Sequence, residues 1–364
     1  MPKIRVLIVD DSVVIRRLLT DELSKDPDIE VVGTAATGKI ALSKVEQTPP
    51  DVVTMDIEMP EMDGITALTE IRKTHPKLPI IMFSTLSQRG AKETLEALSR
   101  GANDYVTKPA NVGSAVLAVP RVREELIPKI KRLARPQTAS PPSNIRSASG
   151  LASPAVPRFL SARKPFKVDI VAIGVSTGGP NALAEIIPHI PKDCPVPILI
   201  VQHMPPVFTK CLAERLSLKA SIPIHEGQPG DVVVPGQAWI APGGYHMVVQ
   251  RKGTQVVLTT NQDPPENSCR PAVDVMFRSV AKVYGDAVLA VVLTGMGQDG
   301  MRGVEVIREA GGQVIAQDEA SSVVWGMPGA VVHAGLAHSI LPLSQVSTEI
   351  MSKVRAGQVQ SVTA

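Results

Sequence analysis

Three cysteines in 364 residues, Cys194, Cys211 and Cys269, are too scattered for paired metal-ligand spacing, and their odd count argues against a disulfide framework. A reduced, cytoplasmic protein is expected. Aromatic residues make up only 3% of the chain, so the 44% apolar content must build mostly aliphatic cores. A net charge of +3 is too small to argue for nucleic acid as a partner. No apolar run is long enough to cross a bilayer, so direct membrane insertion is not expected. Met1-Pro-Lys-Ile-Arg-Val leads straight into a strand pattern, which leaves no room for a signal peptide.

One further absence divides the chain. No Asp or Glu occurs between Glu125 and Asp169, and from Pro136 to Phe166 the pattern collapses into Pro, Ser and Ala. This composition marks a semi-extended linker. Its basic residues, Arg146, Arg158, Arg163 and Lys164, offer an acidic partner a surface, but a solvated linker is the simpler reading. The organisation expected is a first domain over 1–125, a helix end and linker over 126–166, and a second domain over 167–355.

The first part alternates strand and helix patterns: strands at 4–9, 30–35, 51–55, 79–83 and 104–107, with helices at 13–24, 39–46, 64–74, 91–99 and 112–133. Such alternation predicts a parallel, doubly wound α/β sheet with its site at the carboxyl strand ends. Asp10 and Asp11 follow the first strand, Asp56 the third, Ser84 the fourth and Lys108 the fifth, so all five meet at one edge. Clustered carboxylates repel one another and suit a hard, oxygen-preferring cation such as Mg²⁺. With such a cation, a carboxylate can attack phosphorus while Lys108 pairs with the phosphoryl charge and Ser84 hydrogen-bonds to it. A lone Asp-Asp pair would read as a helix cap; five chemically coherent residues at strand ends do not. A cis peptide at Lys108-Pro109 is expected to aim the lysine.

The second part repeats the α/β logic, with strands near 168–174, 196–201, 288–293 and 313–316 and helices near 180–188, 207–217, 272–284 and 300–310. Tyr245–Gln250 and Gln255–Thr260 read as a hairpin around Gly253, which predicts a mixed rather than wholly parallel sheet. Ser176 ends an apolar run and is followed by Thr177, Gly178, Gly179 and Pro180. That order turns the backbone sharply into a helix and exposes the hydroxyl beside free N–H groups. Alone, the turn suits either a nucleophile or a phosphate. His203 follows the apolar strand 197–202, and Asp299 follows the strand and glycine turn 288–298. If these strands are parallel, the three converge, with His203 taking the serine proton and Asp299 orienting the imidazole. The order Ser…His…Asp differs from that of ordinary α/β-hydrolases. His246 and Arg270 are weaker candidates for substrate contact, each with a structural role equally open, and the other histidines read as surface or loop residues.

Over residues 1–125 the chain resembles response-regulator receiver domains, through Val9-Asp-Asp-Ser12, Met55-Asp-Ile-Glu-Met-Pro60, Met62-Asp-Gly64 and Val106-Thr-Lys-Pro109. The resemblance implies a flavodoxin-like five-stranded sheet of order 2-1-3-4-5. It also implies that Asp56 accepts a phosphoryl group from a histidine kinase. Mg²⁺ would be held by Asp11, Asp56, the Glu58 carbonyl and Asp10, the last directly or through water. Ser84 and Tyr105 would occupy the switch positions.

Over about 167–350 it resembles the catalytic domain of chemotaxis protein-glutamate methylesterases, the CheB family. The shared motifs are Ile173-Gly-Val-Ser-Thr-Gly-Gly-Pro180, Val201-Gln-His-Met-Pro205, Leu293-Thr-Gly-Met-Gly-Gln-Asp-Gly300 and residues 316–328. The resemblance makes Ser176 the nucleophile, His203 the general base and acid, and Asp299 the orienting carboxylate. The Thr177 and Met296 backbone N–H groups would form the oxyanion hole, and no cofactor is expected in that site. The implied activity is hydrolysis of glutamate γ-methyl esters, and deamidation of glutamines, on chemoreceptor cytoplasmic helices, switched on by phosphorylation. Two other classes remain open: a phosphorylation-controlled binding module, and a serine hydrolase of small esters or peptides. No segment after residue 133 resembles a DNA-binding helix-turn-helix.

Overall fold

The computed structural model describes residues 2–108, 119–120, 122–134 and 167–359. In the first part, strands β1 (Ile4–Val9), β2 (Ile29–Ala35), β3 (Val52–Asp56), β4 (Ile80–Ser84) and β5 (Asp104–Thr107) alternate with helices α1 (Val13–Leu23), α2 (Gly38–Gln47), α3 (Gly64–Thr74) and α4 (Gln88–Ser99). The strands form one parallel sheet of order β2-β1-β3-β4-β5. Each of the four helices starts on a side chain that accepts an orphan N–H: Ser12 from Ile15, Thr37 from Ile40, Asp63 from Thr66 and Ser87 from Gly90. The expected fifth helix is found in part, as a π-helical turn Val122–Leu126 running into α5 (Ile127–Ala134). Pro109, and with it the isomer expected at Lys108-Pro109, lies outside the described residues, as does most of the expected linker.

The second part is built on seven strands: β6 (Ile170–Val175), β7 (Ile198–Gln202), β8 (Ile224–Glu226), β9 (Ala238–Ile240), β12 (Val288–Val292), β13 (Gln313–Gln317) and β14 (Ser339–Leu341). Their order is β14-β13-β12-β6-β7-β9-β8, and every pairing is parallel. The helices are α6 (Gly179–Ile186), α7 (Phe208–Ser217), α8 (Val273–Tyr284), α9 (Met301–Glu309), α10 (Met327–His333) and α11 (Leu343–Val359). The hairpin is present as β10 (His246–Lys252) and β11 (Gln255–Asn261), but it does not make the sheet mixed. It forms a separate two-stranded sheet, and its second strand is bridged antiparallel to Val232 rather than to the seven-stranded sheet. Its inner side chains, Met247, Val249, Val256 and Leu258, pack into the core over α8 instead, so the apolar face is satisfied without joining the ladder.

All six residues of β6 are buried, as are all five of β7 and of β12. At about 1.5–3 kcal/mol for each fully buried large aliphatic side chain, this central trio anchors the loops at its carboxyl ends. β6 lies between β7 and β12, and the chain runs outward from β6 in both directions, so the crevice between its loop and theirs is a topological switch point.

The two sheets share one apolar cluster through α4, whose Leu95 and Leu98 join Ala182 of α6 and Leu212 of α7. Polar ties reinforce the seam. Asn181 Nδ2 donates to the Leu98 carbonyl at 2.8 Å, and Arg215 pairs with Glu96 at 3.2 Å.

Candidate active site and candidate metal centre

At the carboxyl edge of the first sheet, Asp10, Asp11 and Asp56 bring carboxylate oxygens within 4.8 Å of one another. Lys108 Nζ sits 2.6 Å from Asp56 Oδ2 and 3.0 Å from Asp10 Oδ2. Burial pushes the Asp56 carboxyl up to about 6, aided by the charges of Asp10 and Asp11 and opposed by Lys108. Asp10 is raised for the same leading reason, while Lys108 is raised because its two acidic neighbours outweigh the burial that disfavours its charge. Three carboxylates against one ammonium leave a surplus of negative oxygen donors, and this donor set fits a small hard divalent cation. Glu58 and Ser84 line the same recess of about 150 Å³ as Asp11, Asp56 and Lys108. Ser84 Oγ donates to the Gly90 carbonyl at 3.1 Å, turned toward α4. Tyr105 is buried on the far side of the sheet edge, its ring stacked on Phe208.

At the second edge, Ser176 follows β6 and its N–H donates to the Thr294 carbonyl, while the His203 N–H donates to the Val175 carbonyl. These two bonds hold the serine between the loops after β7 and β12. Gly178 takes φ +78°, a turn that L side chains rarely adopt, and starts α6 directly behind the serine. A Cβ on Gly295 would lie 2.8 Å from Ser176 Cβ, so only glycine lets the Thr294–Gly297 turn approach the hydroxyl this closely. Among the described residues, neither the Thr177 nor the Met296 N–H donates to a protein acceptor, and both residues line the cavity that holds Ser176.

His203 Nε2 donates to Asp299 Oδ2 at 2.7 Å. Asp299 is 2% exposed and accepts four more donors: Val273 N on Oδ2, and Asp274 N, Gly300 N and Asn267 Nδ2 on Oδ1. The N-terminus of α8 thus points at this carboxylate. Burial alone would raise the Asp299 carboxyl, but the bond and charge of His203 together with the backbone N–H groups hold it below its ordinary value. Burial likewise disfavours the His203 imidazolium, yet Cys269 beside Nδ1 and Asp299 on Nε2 outweigh it and raise that group above its ordinary value. Cys269 Sγ lies 3.6 Å from His203 Nδ1, and no hydrogen bond joins Ser176 Oγ to the imidazole. The serine, histidine and acid are therefore brought to one crevice, with the His–Asp bond formed and the Ser–His bond not.

Of the weaker candidates, His246 is held in the backbone around α8, whereas Arg270 lines the cavity that holds Ser176 and its buried Nε has no partner among the described residues. His246 is buried, accepts the Ala272 N–H on Nδ1 and approaches the Pro264 carbonyl at 3.2 Å. Arg270 spends Nη1 on the Gln262 and Asp263 carbonyls. Three neighbours of the site were not anticipated from sequence: Asn267, Cys269 and Asp274. They sit in or just after an irregular turn, where no periodicity signals which side chains point inward.

Ser176 and His203 face a cavity of about 530 Å³ whose opposite wall comes from β5 and α5 of the first part: Asp104, Tyr105, Thr107 and Lys129. Thr177 Oγ1 donates to Asp104 Oδ2 across it at 2.9 Å, and Lys129 Nζ pairs with the same carboxylate at 3.0 Å.

An open parallel sheet of order 2-1-3-4-5 with an acidic pocket defines a receiver, here joined to a doubly wound α/β domain with a serine-histidine-aspartate crevice. A family model for the response regulator receiver domain matches residues 6–119, and one for CheB methylesterase matches residues 171–350. The chain belongs to the CheB methylesterase family. It is 54% identical over 358 residues to a protein-glutamate methylesterase/protein-glutamine glutaminase of Trichodesmium erythraeum, covering 97% of this chain and 100% of the relative. A protein of the same description from Nocardioides is 52% identical over 359 residues, covering 97% of this chain and 96% of the relative. The crystal structure of the Thermotoga maritima CheB methylesterase catalytic domain is 41% identical, matching 51% of this chain and 98% of its own with a TM-score of 0.50.

Proposed function

We propose that the chain is a phosphorylation-activated, cytoplasmic hydrolase of glutamate γ-methyl esters on chemoreceptor helices, which also deamidates specific receptor glutamines in chemotactic adaptation. Its working parts are a receiver over 1–125, a connecting segment over 126–166 and a catalytic domain over 167–355. The observation that carries the reading is the crevice between β6, β7 and β12, where Ser176 meets a histidine already bonded to a buried, five-times-satisfied Asp299. Ser176 Oγ attacks the γ-carbonyl carbon while His203 takes its proton. The oxyanion is received by the Thr177 and Met296 N–H groups. His203 returns the proton to the leaving methoxide, or to the leaving amine when glutamine is the substrate. Water, deprotonated by His203, then attacks the acyl-serine and releases glutamate. With Nε2–H held by Asp299, Nδ1 is the nitrogen that would exchange protons, once Ser176 replaces Cys269 Sγ beside it in the open, substrate-bound arrangement.

The same cavity motivates the regulation. The wall opposite Ser176 carries Asp104, Tyr105 and Lys129, and Asp104 accepts the hydroxyl of Thr177, the residue next to Ser176. On this reading a receptor helix reaches Ser176 once that wall moves. A histidine kinase would supply the phosphoryl group to Asp56. Asp10, Asp11, Asp56 and the Glu58 carbonyl would hold Mg²⁺, which supplies charge neutralisation for the incoming phosphoryl group. Lys108 would then leave its ion pairs for the phosphoryl oxygens, and Ser84 would turn from Gly90 toward them. The movement passes to Tyr105 and weakens the seam.

Methanol release from methylated receptor, compared with turnover of generic small esters, tests the substrate class. Ser176→Ala is expected to lose on the order of a thousandfold to a millionfold in turnover. Near-normal release by that variant would remove Ser176 as the nucleophile. Equal preference for generic esters would favour a broad serine hydrolase.

A further inference from the structure

Asn267 occupies a demanding position. Its backbone takes φ +52° and the next residue, Ser268, takes φ +61°, so the turn before α8 bends through two left-handed residues in succession. Asn tolerates that region better than most side chains. The bend delivers its amide between two buried carboxylates. Nδ2 lies 2.9 Å from Asp299 Oδ1 and 2.9 Å from Asp274 Oδ2. A carboxamide nitrogen has two hydrogens, one for each acid. Asp274 is itself 1% exposed and uses Oδ1 to accept the Gly303 N–H, which ties it to the first turn of α9 behind Asp299.

The arrangement solves an electrostatic problem. Two carboxylates buried side by side raise each other's proton affinity. Asp274 shows the cost: burial, then the charge of Asp299, push it up to about 6 against the opposing bonds from Gly303 and Asn267. Asp299 escapes the same fate first through the bond and charge of His203 and then through backbone N–H groups, while three donors hold Oδ1 and leave Oδ2 for Val273 N and His203. Of the three donors on Oδ1, two are backbone groups of α8 and α9. The third, Asn267, is the single side chain, and it reaches both acids.

We propose that Asn267 is a positioning residue of the hydrolytic site: by donating to Asp299 and Asp274 at once it keeps Asp299 ionised and rotated with Oδ2 on His203. The inference rests on the reading of Ser176, His203 and Asp299 as the reacting triad. Asn267 acts through Asp299, and Asp274 anchors its other hydrogen. Polar neighbours that orient metal ligands from behind contribute about 10–100-fold, and the same order is expected for this carboxylate.

The test uses the full-length chain and two replacements. Asn267→Gly keeps the left-handed backbone and deletes the amide; Asn267→Asp keeps the shape and replaces the donor with a third carboxylate. Both are expected to lower kcat for methanol release about 10–100-fold with KM changed less than about twofold. Asn267→Asp is also expected to move the acidic limb of the kcat/KM profile to higher pH, because added negative charge favours the His203 imidazolium. Thermal melting of each variant separates these effects from partial unfolding, which would lower the active fraction without moving a pH limb. In an Asp299→Asn background, Asn267→Gly should cost nothing further. Wild-type kcat and pH profile in both variants, or a full multiplicative loss in the Asp299→Asn background, would overturn the proposal. Ser176→Ala assayed alongside keeps the outcomes apart: if it stays active, the triad itself is wrong, whereas an inactive Ser176→Ala beside unaffected Asn267 variants refutes the positioning role alone.

Discussion

The Tyr105 ring lies flat against Phe208, with centroids 5.1 Å apart and planes 9° from parallel. Tyr105 lies in the first sheet's last strand, and Phe208 opens the helix that begins five residues after His203. Lys129 covers the other side of the tyrosine, 5.4 Å from the ring centroid, and donates to its carbonyl. A side chain of the first sheet thus leans on the helix that follows the imidazole-bearing loop. The stack itself is apolar, with the Lys129 ammonium over the same ring, so a shift of the strand would move the aromatic pair and the cation together.

The polar tie beside that stack is the more tractable one to cut. Asp104 accepts the Thr177 hydroxyl and pairs with Lys129, which pins the residue after Ser176 to the first sheet. A hydrogen bond to a charged group contributes about 1.5–3 kcal/mol. Asp104→Ala should therefore raise the unphosphorylated rate of methanol release on the order of tenfold and shrink the further gain on phosphorylation. An unchanged basal rate would show that this tie does not hold the cavity shut.

The proton inventory of His203 sets a pH dependence. The base must be neutral to accept the serine proton, and its Asp299 and Cys269 neighbours raise its affinity for a proton above the ordinary imidazole value. Activity should rise with pH along a limb lying above about 6.5. Asp299→Asn removes the negative partner, so the limb should move to lower pH while the plateau falls. A limb that moved upward, or not at all, would contradict the charge relationship inferred from the 2.7 Å bond.

Asp56 makes a prediction about stability. Its folded-state value of about 6 lies above the 3.8 of an unperturbed aspartate. The folded state therefore holds the proton more tightly, and this group's stabilising contribution is present below about pH 4 and lost as pH rises through about 6. At neutral pH the buried charge is a cost. Asp56→Asn should raise Tm by a few degrees at pH 7, with the difference shrinking toward pH 4, as scanning calorimetry at both pH values would reveal.

The metal assignment separates cleanly from the esterase. Asp10, Asp11 and Asp56 lie on the first sheet, and the hydrolytic crevice lies on the second. EDTA should abolish stimulation by a small phosphoryl donor and leave the basal rate untouched. Loss of the basal rate on chelation would place a metal requirement in the crevice itself.

Much of this geometry was legible from strand ends. Ser176 and His203 each follow a buried aliphatic run, Asp56 ends a buried strand and Lys108 follows the mixed strand Asp104–Thr107, and a parallel sheet brings such positions to one edge whatever the loops do. Asp299 needed only the glycine turn that carries it back over the serine. The strands at 224–226, 238–240 and 339–341 escaped notice because three residues carry no measurable period. The hairpin was seen, but its separation from the main sheet was not, since alternation marks a strand without naming its partner. Asn267, Cys269 and Asp274 were invisible for a related reason: their directions are set by two left-handed residues and a helix start, not by a repeat. The absent Ser176–His203 bond, with Nε2 on Asp299 and Cys269 beside Nδ1, is encoded by no local pattern.

The central claim is that phosphorylation at Asp56 exposes a competent Ser176. The direct measurement is methanol release from methylated receptor with and without a phosphoryl donor, for the wild-type chain, Asp56→Asn and Ser176→Ala. The account predicts strong stimulation of the wild type, a low and unresponsive rate for Asp56→Asn, and no release from Ser176→Ala in either condition. Equal rates with and without donor in both wild type and Asp56→Asn would contradict it.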